Sequence, residues 1–92
     1  MKYDFISDPG HGWLKVKRKE VVKLGIRVSR YSYQRGEWLY LEEDCDAPRF
    51  LQAKEARGER VEFRERTSRE RPSKIRSYDG FLPRNGDIPT TD

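Results

Sequence analysis

Cysteine and histidine are the residues of this chain best suited to nucleophilic chemistry, and the sequence has one of each. A thiol becomes a nucleophile when a neighbouring base accepts its proton, so the only candidate dyad is Cys45 with His11. No motif places the two together. His11 lies between two glycines, as is typical of a turn, and Cys45 precedes a predicted helix as a small side chain. We therefore predict no catalytic residues.

Metal ligands and phosphate-binding glycines do not occur at the spacings their chemistry requires. One cysteine and one histidine cannot supply the four ligands of a structural zinc site. The acidic run 42–46 lacks the glycine and terminal glutamate of a calcium loop, which favours a solvated strand end before a helix cap. The segment 10–12 lacks the remaining residues of a P-loop or dinucleotide fingerprint. We expect no metal, no cofactor and no small-molecule substrate.

Basic residues are numerous and unevenly distributed. Residues 1–36 carry nine basic and three acidic side chains, residues 37–48 carry five acidic and no basic ones, and residues 49–92 carry eleven and eight. Arginine outnumbers lysine 13 to 7, and its planar guanidinium can bind phosphate or carboxylate through two hydrogen bonds. The net charge of +4 and a pI near 9.4 favour a polyanionic partner such as nucleic acid. A solvated charged surface is the alternative.

The length and composition indicate one small domain. Ninety-two residues leave no room for a second core, and Leu, Ile, Val and Phe together number only 19. Eleven aromatic residues compensate, because each can bury roughly 150–250 Å². The single cysteine excludes an internal disulfide and favours a reducing compartment. No apolar run approaches the ~18 residues of a membrane span, so we expect a cytoplasmic protein.

Hydrophobic periodicity predicts the first half of the fold. Residues 13–17 alternate as a strand, and residues 17–24 form a short helix that ends at Gly25, with Arg18 on its solvent side. Residues 26–34 and 37–43 flank Arg35-Gly36, a pair that suits a two-residue hairpin turn. We expect these two segments to pair as antiparallel strands.

The second half is predicted with shorter elements. Asp44 to Pro48 supplies a capping carboxylate and a proline ahead of a helix over 49–57. Residues 60–66 alternate as a half-buried strand with Val61 and Phe63 inward, and residues 75–78 suit a short last strand. Glycine and proline recur over 79–92, which predicts an extended or disordered tail after a domain over 1–78. The fold class is α+β, a small antiparallel sheet of about four strands with two short helices.

Basic and aromatic residues interleave along the predicted hairpin, an arrangement that can bind nucleic acid by charge and stacking. Tyr31 and Tyr33 share one strand face. Because aliphatic residues are scarce, this tyrosine face is favoured as core, with a stacking platform as the alternative. The interleaved residues are Arg27, Arg30, Tyr31, Tyr33, Arg35, Trp38 and Tyr40.

Three runs of the sequence also carry a resemblance to a known family. They are Phe5–Leu14, Ser29–Gly36 and Tyr40–Ala47. With these runs, and in its length, the chain resembles small phage-encoded anti-CRISPR proteins directed against type I-F systems. The resemblance covers roughly the full chain and contains no catalytic motif. It implies a stoichiometric inhibitor that acts in the cytoplasm of the infected bacterium and is not an enzyme.

The resemblance implies that the inhibitor binds the Cas subunits of the guide-RNA surveillance complex, with the guide RNA as a further contact, and blocks hybridisation to target DNA. A basic, arginine-rich chain is a poor mimic of DNA, so we expect contacts to RNA phosphates or acidic protein groups and an acidic edge that meets basic Cas residues. A small protein that binds free nucleic acid is the alternative. The predicted basic contacts are Arg30, Arg35, Arg64, Arg66, Arg69, Arg71, Lys74 and Arg76, and the acidic edge is Glu42, Glu43 and Asp44.

Overall fold

The computed structural model describes residues 2–67 and 73–91. Eight strands, two α-helices and one 3-10 helix follow one another along these ranges. They are β1 (Lys2–Ser7), β2 (Gly12–Lys17), α1 (Arg18–Leu24), β3 (Val28–Ser29), β4 (Tyr33–Arg35), β5 (Trp38–Glu42), α2 (Ala47–Ala56), β6 (Glu62–Thr67), the 3-10 helix (Lys74–Ser77), β7 (Asp79–Gly80) and β8 (Thr90–Thr91). Neither described α-helix has the length or the apolar composition needed to cross a membrane.

Six of the strands form one sheet in the order β6-β1-β2-β5-β4-β7. All neighbours pair antiparallel except β1 and β6, which run parallel, and β3 with β8 forms a separate parallel pair. The predicted α+β class is confirmed, as a mostly antiparallel sheet with two helices. The sheet has more strands than the four expected, because β1 and two-residue strands give weak periodic signals in the sequence.

The main core lies between the sheet and the helices. Leu14 and Val16 on β2 and Leu39 and Leu41 on β5 are fully buried, because alternate residues of a strand share one face. Phe50 of α2 closes this core and meets the Tyr3 ring edge-on, with 5.3 Å between the ring centroids. Burial raises the pKa of Tyr3 to about 12, with the Glu20 carboxylate contributing in the same direction.

The predicted hairpin forms, with its turn displaced by one residue. Tyr33 pairs with Tyr40 and Arg35 pairs with Trp38, so the two turn residues are Gly36 and Glu37 and not Arg35-Gly36. Gly36 has a φ of +59°, which side chains disfavour, and this fixes it at the first turn position. β4 is also shorter than expected, because β3 upstream pairs with β8 instead of continuing the hairpin.

The capping carboxylate predicted within Asp44 to Pro48 is not observed at Asp46, the residue that precedes α2. Its side chain makes no capping hydrogen bond, although Pro48 lies in the first turn as expected. The buried Asp46 carboxylate instead accepts hydrogen bonds from the Ser29 amide, the Ser29 hydroxyl and the Ser32 hydroxyl. A buried carboxylate needs several donors, and Ser29 at the end of β3 and Ser32 just before β4 supply them. The helix therefore begins at Ala47, two residues earlier than predicted.

The predicted half-buried strand is an exposed edge strand. All six residues of β6 are exposed, and Phe63 retains 47% of its accessible surface. β6 lies at the end of the sheet with β1 as its neighbour, so the core reaches only Val61, which packs partly against it. Phe63 lies on the core side of the sheet, where it pairs with Tyr3, but the prediction that this side chain is buried is wrong.

The segment 79–91 belongs to the domain. Phe81 and Ile88 are buried in the main core, and β8 pairs with β3. The Arg18 guanidinium holds this segment, because its Nε donates to Asp87 over 2.8 Å and an Nη donates to the Leu82 carbonyl over 2.7 Å. Arg18 is 3% exposed, so its predicted place on the solvent side of α1 is wrong. The domain extends past residue 78, because Phe81 and Ile88 of the segment 79–91 pack in the main core.

The predicted last strand over 75–78 is a 3-10 helix. Ser73 caps it, since its hydroxyl accepts from the Ile75 amide, and Ile75 is buried against Trp13 and Tyr40. Residues 73–78 therefore cross the sheet face that lies opposite the helices, and we call them the strap.

Candidate nucleic-acid interface

One face of the sheet lies opposite the helices, and we call it the open face. Strand alternation and register determine which residues lie on it. Directly paired residues of neighbouring strands share a face, so the observed pairs Asp4–Arg64, Asp4–Lys15, Lys17–Trp38 and Arg35–Trp38 define it. Six cations and three carboxylates lie in this set outside the strap. The cations are Lys2, Lys15, Lys17, Arg35, Arg64 and Arg66, and the carboxylates are Asp4, Glu62 and the buried Glu42.

The strap covers one end of the open face and leaves the other end exposed. Ile75 and Tyr78 pack on Tyr40, with 5.1 Å between the two tyrosine ring centroids. Burial, with the neighbouring Tyr78, raises the pKa of Tyr40. The covered end is therefore a small second core, and the end with Lys2, Lys17 and Trp38 is available for binding.

Two lysines surround Trp38 at the uncovered end. The Nζ atoms of Lys15 and Lys17 lie 4.4 and 4.5 Å from the centroid of its ring. These are cation–π contacts, in which the ring face attracts positive charge. A cavity of about 210 Å³ opens beside them, with Lys2 and Arg64 on its wall. An aromatic face next to clustered ammonium groups suits the base and phosphate of a nucleotide.

Arg64 and Arg66 form the outer rim of the open face on β6. Both point toward Asp4, with Nε–carboxylate distances of 2.8 and 3.6 Å, and both stay more than half exposed. One carboxylate orders two guanidinium groups, and Glu62 on the same face of β6 balances the remaining charge. Exposed pairs of this kind contribute little to stability, about 0–1 kcal/mol, which leaves the arginines able to exchange Asp4 for a phosphate.

Arg35 contributes from the opposite side of the open face. Its guanidinium carbon lies 5.0 Å from the centroid of the Tyr78 ring, and the residue is exposed. Arg35, Arg64 and Arg66 are thus three predicted contacts that the tertiary structure places on one surface.

A second cleft lies at the opposite end of the hairpin and is lined by His11, Arg30, Tyr31 and Cys45 among others, with a volume of about 430 Å³. The structure therefore brings the only cysteine and histidine to one cleft, which no sequence motif indicates. Desolvation, with Glu42 and the neighbouring carboxylates, raises the pKa of the Cys45 thiol. A raised pKa lowers the fraction of reactive thiolate at neutral pH.

The two tyrosines expected to share a buried face separate. Tyr31 is 61% exposed in the loop before β4, while Tyr33 packs partly in the small core under the strap. The prediction of a buried tyrosine face is wrong for Tyr31, because the strand begins only at residue 33.

Arg76 is a structural residue and not a free contact. Its Nε and an Nη donate to the buried carboxylate of Asp8 over 2.6 and 2.8 Å. Asp8 also accepts from the amides of Gly10, His11 and Ser73, and these donors hold its pKa well below the usual range. The pair ties the strap to the turn between β1 and β2.

The remaining predicted contacts are spread out. Lys74 is exposed on the strap, and Arg30 is exposed beside the cleft of Cys45. Arg69 and Arg71 lie outside the described residues. The basic contacts therefore do not form one patch, and only those on the sheet do so.

Only part of the predicted acidic edge is exposed. Glu42 is buried, and its Oε2 accepts from the amides of Asp44 and Cys45, so it closes the turn after β5. Glu43 and Asp44 are exposed. The edge available to a partner is therefore Glu43 with Asp44, and the assignment of Glu42 to it is wrong.

Sequence reasoning did not select Lys2, Lys15 or Lys17 as binding residues. The alternation of residues 13–17 places Trp13, Lys15 and Lys17 on one face, which was the available signal. The sequence does not show that β2 pairs with β5, and it is this pairing that brings both lysines to Trp38.

Comparisons with protein-family models, with curated proteins and with solved structures find no match to this chain. The described residues contain no group of three or more His, Cys, Asp or Glu side chains arranged for a metal ion. The fold and this surface define a small α+β domain with a cationic sheet face.

Proposed function

We propose that this chain is an anti-CRISPR inhibitor that binds the guide-RNA surveillance complex of a type I-F system and blocks hybridisation of target DNA. It acts by stoichiometric binding to Cas subunits and guide RNA in the cytoplasm of the infected bacterium, without turnover. Among the structural observations, the open face carries the proposal, because it presents six cations and places two of them, Lys15 and Lys17, against the half-buried Trp38. The resemblance of the sequence to this class of phage proteins supplies the choice of target.

The positive net charge of the open face favours contact with RNA over imitation of DNA. In guide-RNA effectors the guide pairs with the target strand inside a positively charged channel. A DNA mimic would need a carboxylate-rich surface to occupy that channel, whereas the open face has twice as many cations as carboxylates. Lysines and arginines on such a face bind phosphates and release counterions, so it suits the guide backbone.

The acidic residues lie away from the cationic end. Glu43 and Asp44 follow the last residue of β5, and Trp38 is its first. The four residue steps from Trp38 to Glu42, at about 3.3 Å each, separate the two ends of β5 by roughly 13 Å. The first residue of β5 therefore lies in a cationic surface that suits RNA. The residues that follow its last residue are exposed carboxylates that suit basic Cas residues.

The test is a titration of purified type I-F surveillance complex, with target-DNA binding followed by gel shift. The wild-type chain is expected to abolish target binding near one equivalent per binding site. The double variant Lys15→Glu with Lys17→Glu removes the ammonium groups at Trp38. The matched control, Lys19→Glu with Lys23→Glu, makes the same change in net charge at exposed positions of α1.

The open-face variant is expected to inhibit at least tenfold more weakly, while the α1 variant stays within about twofold of wild type. Equal behaviour of the two variants would remove the open face from the interface. An unaffected complex, whatever the variant, would refute the inhibitor proposal.

Binding of free nucleic acid is the second candidate, and Trp38 with its two lysines favours it. A surface with stacking and phosphate contacts retains single strands without a protein scaffold, and its affinity falls steeply with salt. A gel shift with free single-stranded RNA and DNA at 50 and 200 mM salt separates the candidates. Strong, salt-sensitive binding of free strands with no effect on the complex would select this second function.

A further inference from the structure

An apolar groove lies on the helix side of the sheet, at the β6 edge and away from the open face. Phe5 and Phe63 from the sheet and Pro48 and Leu51 from α2 line it, and its volume is about 270 Å³. The same groove has Glu43 and Glu65 on its wall. It is a separate surface, since strand alternation puts Phe63 and Glu65 on the face opposite Arg64 and Arg66.

Strand register explains why the groove is open. Phe63 pairs with Tyr3 and Glu65 pairs with Phe5, so these residues continue the core face of the sheet onto its edge strand. Tyr3 is buried beneath the helices, whereas Phe63 remains 47% exposed. A large aromatic side chain on the core face with half its surface in water is an uncovered extension of the core.

The outer edge of β6 offers backbone groups to a further strand. β6 is the last strand of the six-stranded sheet, and among residues 2–67 and 73–91 its one paired neighbour is β1. An edge strand presents unpaired N–H and C=O groups along its free side. A partner segment that adds there gains main-chain hydrogen bonds and places alternate side chains over the groove.

The charges of the groove specify the chemistry of its occupant. Among the residues that the structure describes, the charged ones lining the groove are Glu43 and Glu65, and none is lysine or arginine, although the chain has an excess of 4 positive charges. A second copy of this chain is a poor occupant, because its β6 would bring Glu65 and no cation to this face. A partner with lysine or arginine beside an apolar side chain complements the groove.

We propose that the groove and the outer edge of β6 bind an extended segment of a partner protein that adds as a strand to the sheet. An apolar side chain of that segment lies against Phe5, Leu51 and Phe63. A lysine or arginine two positions away, toward the Thr67 end of β6, lies beside Glu65, with Glu43 on the same side of the groove. This site is separate from the open face. An experiment that refutes partner binding at the groove therefore leaves the inhibitor proposal untouched, and the reverse also holds.

The experiment is an amide NMR titration of the full chain with two synthetic peptides. The first is acetyl-Thr-Lys-Thr-Ile-Thr-Lys-Thr-amide, and the second has glutamate in place of both lysines. Because the chain is cationic overall, general electrostatics favours the acidic peptide, and only the local carboxylates favour the basic one. We expect the basic peptide to shift the amides of 62–67 and of the start of α2, with at least tenfold tighter binding than the acidic peptide.

Three variants sharpen the assignment. Phe63→Glu is expected to weaken binding of the basic peptide at least tenfold, while Leu82→Glu, an equally drastic change at a residue 64% exposed, leaves it within about twofold. Glu65→Lys is expected to reduce the preference for the basic peptide. All three positions are exposed, so folding is retained and is checked by the amide spectrum.

Shifts that map elsewhere, a preference for the acidic peptide, or equal effects of Phe63→Glu and Leu82→Glu would overturn the proposal. Sedimentation of the chain without peptide provides a further check. A dimer that Phe63→Glu dissociates would assign the groove to a second copy and exclude the partner segment proposed here.

Discussion

Arg18 is expected to hold the C-terminal segment in place, and its replacement by alanine tests how much of the fold depends on that contact. The guanidinium donates to Asp87 over 2.8 and 3.3 Å, to the Leu82 carbonyl over 2.7 Å and to the Gln34 side chain over 3.2 Å. It is 3% exposed and also lies over the Phe81 ring, 5.5 Å from its centroid. Arg18→Ala removes all of these interactions together.

The expected loss in the free energy of unfolding is about 3 kcal/mol. Removal of one partner of a buried ion pair costs about 3–5 kcal/mol, because the other charge is left without compensation. The Asp87 side chain is 25% exposed and can regain water, so the lower end of that range applies. For a domain of this size each kcal/mol lowers Tm by about 4–8 °C, which gives a decrease of roughly 12–24 °C.

Thermal and urea denaturation followed by circular dichroism measure this loss, with Lys19→Ala as the control. Lys19 is the next residue of α1 and is exposed, so its replacement is expected to cost less than about 0.5 kcal/mol. Hydrogen exchange gives an independent readout at the Phe81 and Val28 amides, which donate to the carbonyls of Ser32 and Pro89. If the Tm of Arg18→Ala lies within about 2 °C of the Tm of Lys19→Ala, and both amides stay protected from hydrogen exchange, then other contacts hold the C-terminal segment.

Three further expectations concern the core, the strap and the thiol. Phe50→Ala in the fully buried core is expected to cost about 3–5 kcal/mol in urea denaturation, against less than about 0.5 kcal/mol for the exposed Leu82→Ala. Because the native pKa of Asp8 lies below its unfolded value near 3.9, its contribution to stability is full above about pH 5 and is lost as pH falls toward the native pKa. Asp8→Asn should therefore have a lower free energy of unfolding than wild type at pH 7, and that free energy should fall less as the pH is lowered. A fall as steep as that of wild type would contradict this. Cys45 is expected to react with iodoacetamide at pH 7 more slowly than free cysteine, since its pKa is raised; labelling as fast as that of free cysteine would contradict it.

The sequence determined the elements whose signals are local. The alternation at 13–17 gives β2, the apolar stripe before Gly25 gives α1, and glycine next to two alternating runs gives the hairpin. Gly25 and Gly36 both adopt positive φ, which explains why glycine marks these ends. The α+β class follows from these elements alone, because each depends on residues only a few positions apart.

Tertiary structure decided which charged side chains are buried and which share a surface. Arg18 and Lys23 look alike in the sequence of α1, but only Arg18 meets Asp87, 69 residues further on. Arg76 and Arg64 are both predicted contacts, yet Asp8 holds one at the strap and strand register places the other on the open face. These outcomes depend on pairings between distant segments, which local periodicity does not encode.

The candidate interface shows the same division. Composition, through the excess of basic residues and the preference for arginine, indicated a polyanionic partner from the sequence alone. The particular surface arises because β2 pairs with β5 and β1 pairs with β6, so that residues from four separated segments align across strands about 4.8 Å apart. Charge is a property of the sequence, whereas the arrangement of charge around Trp38 is a property of sheet register.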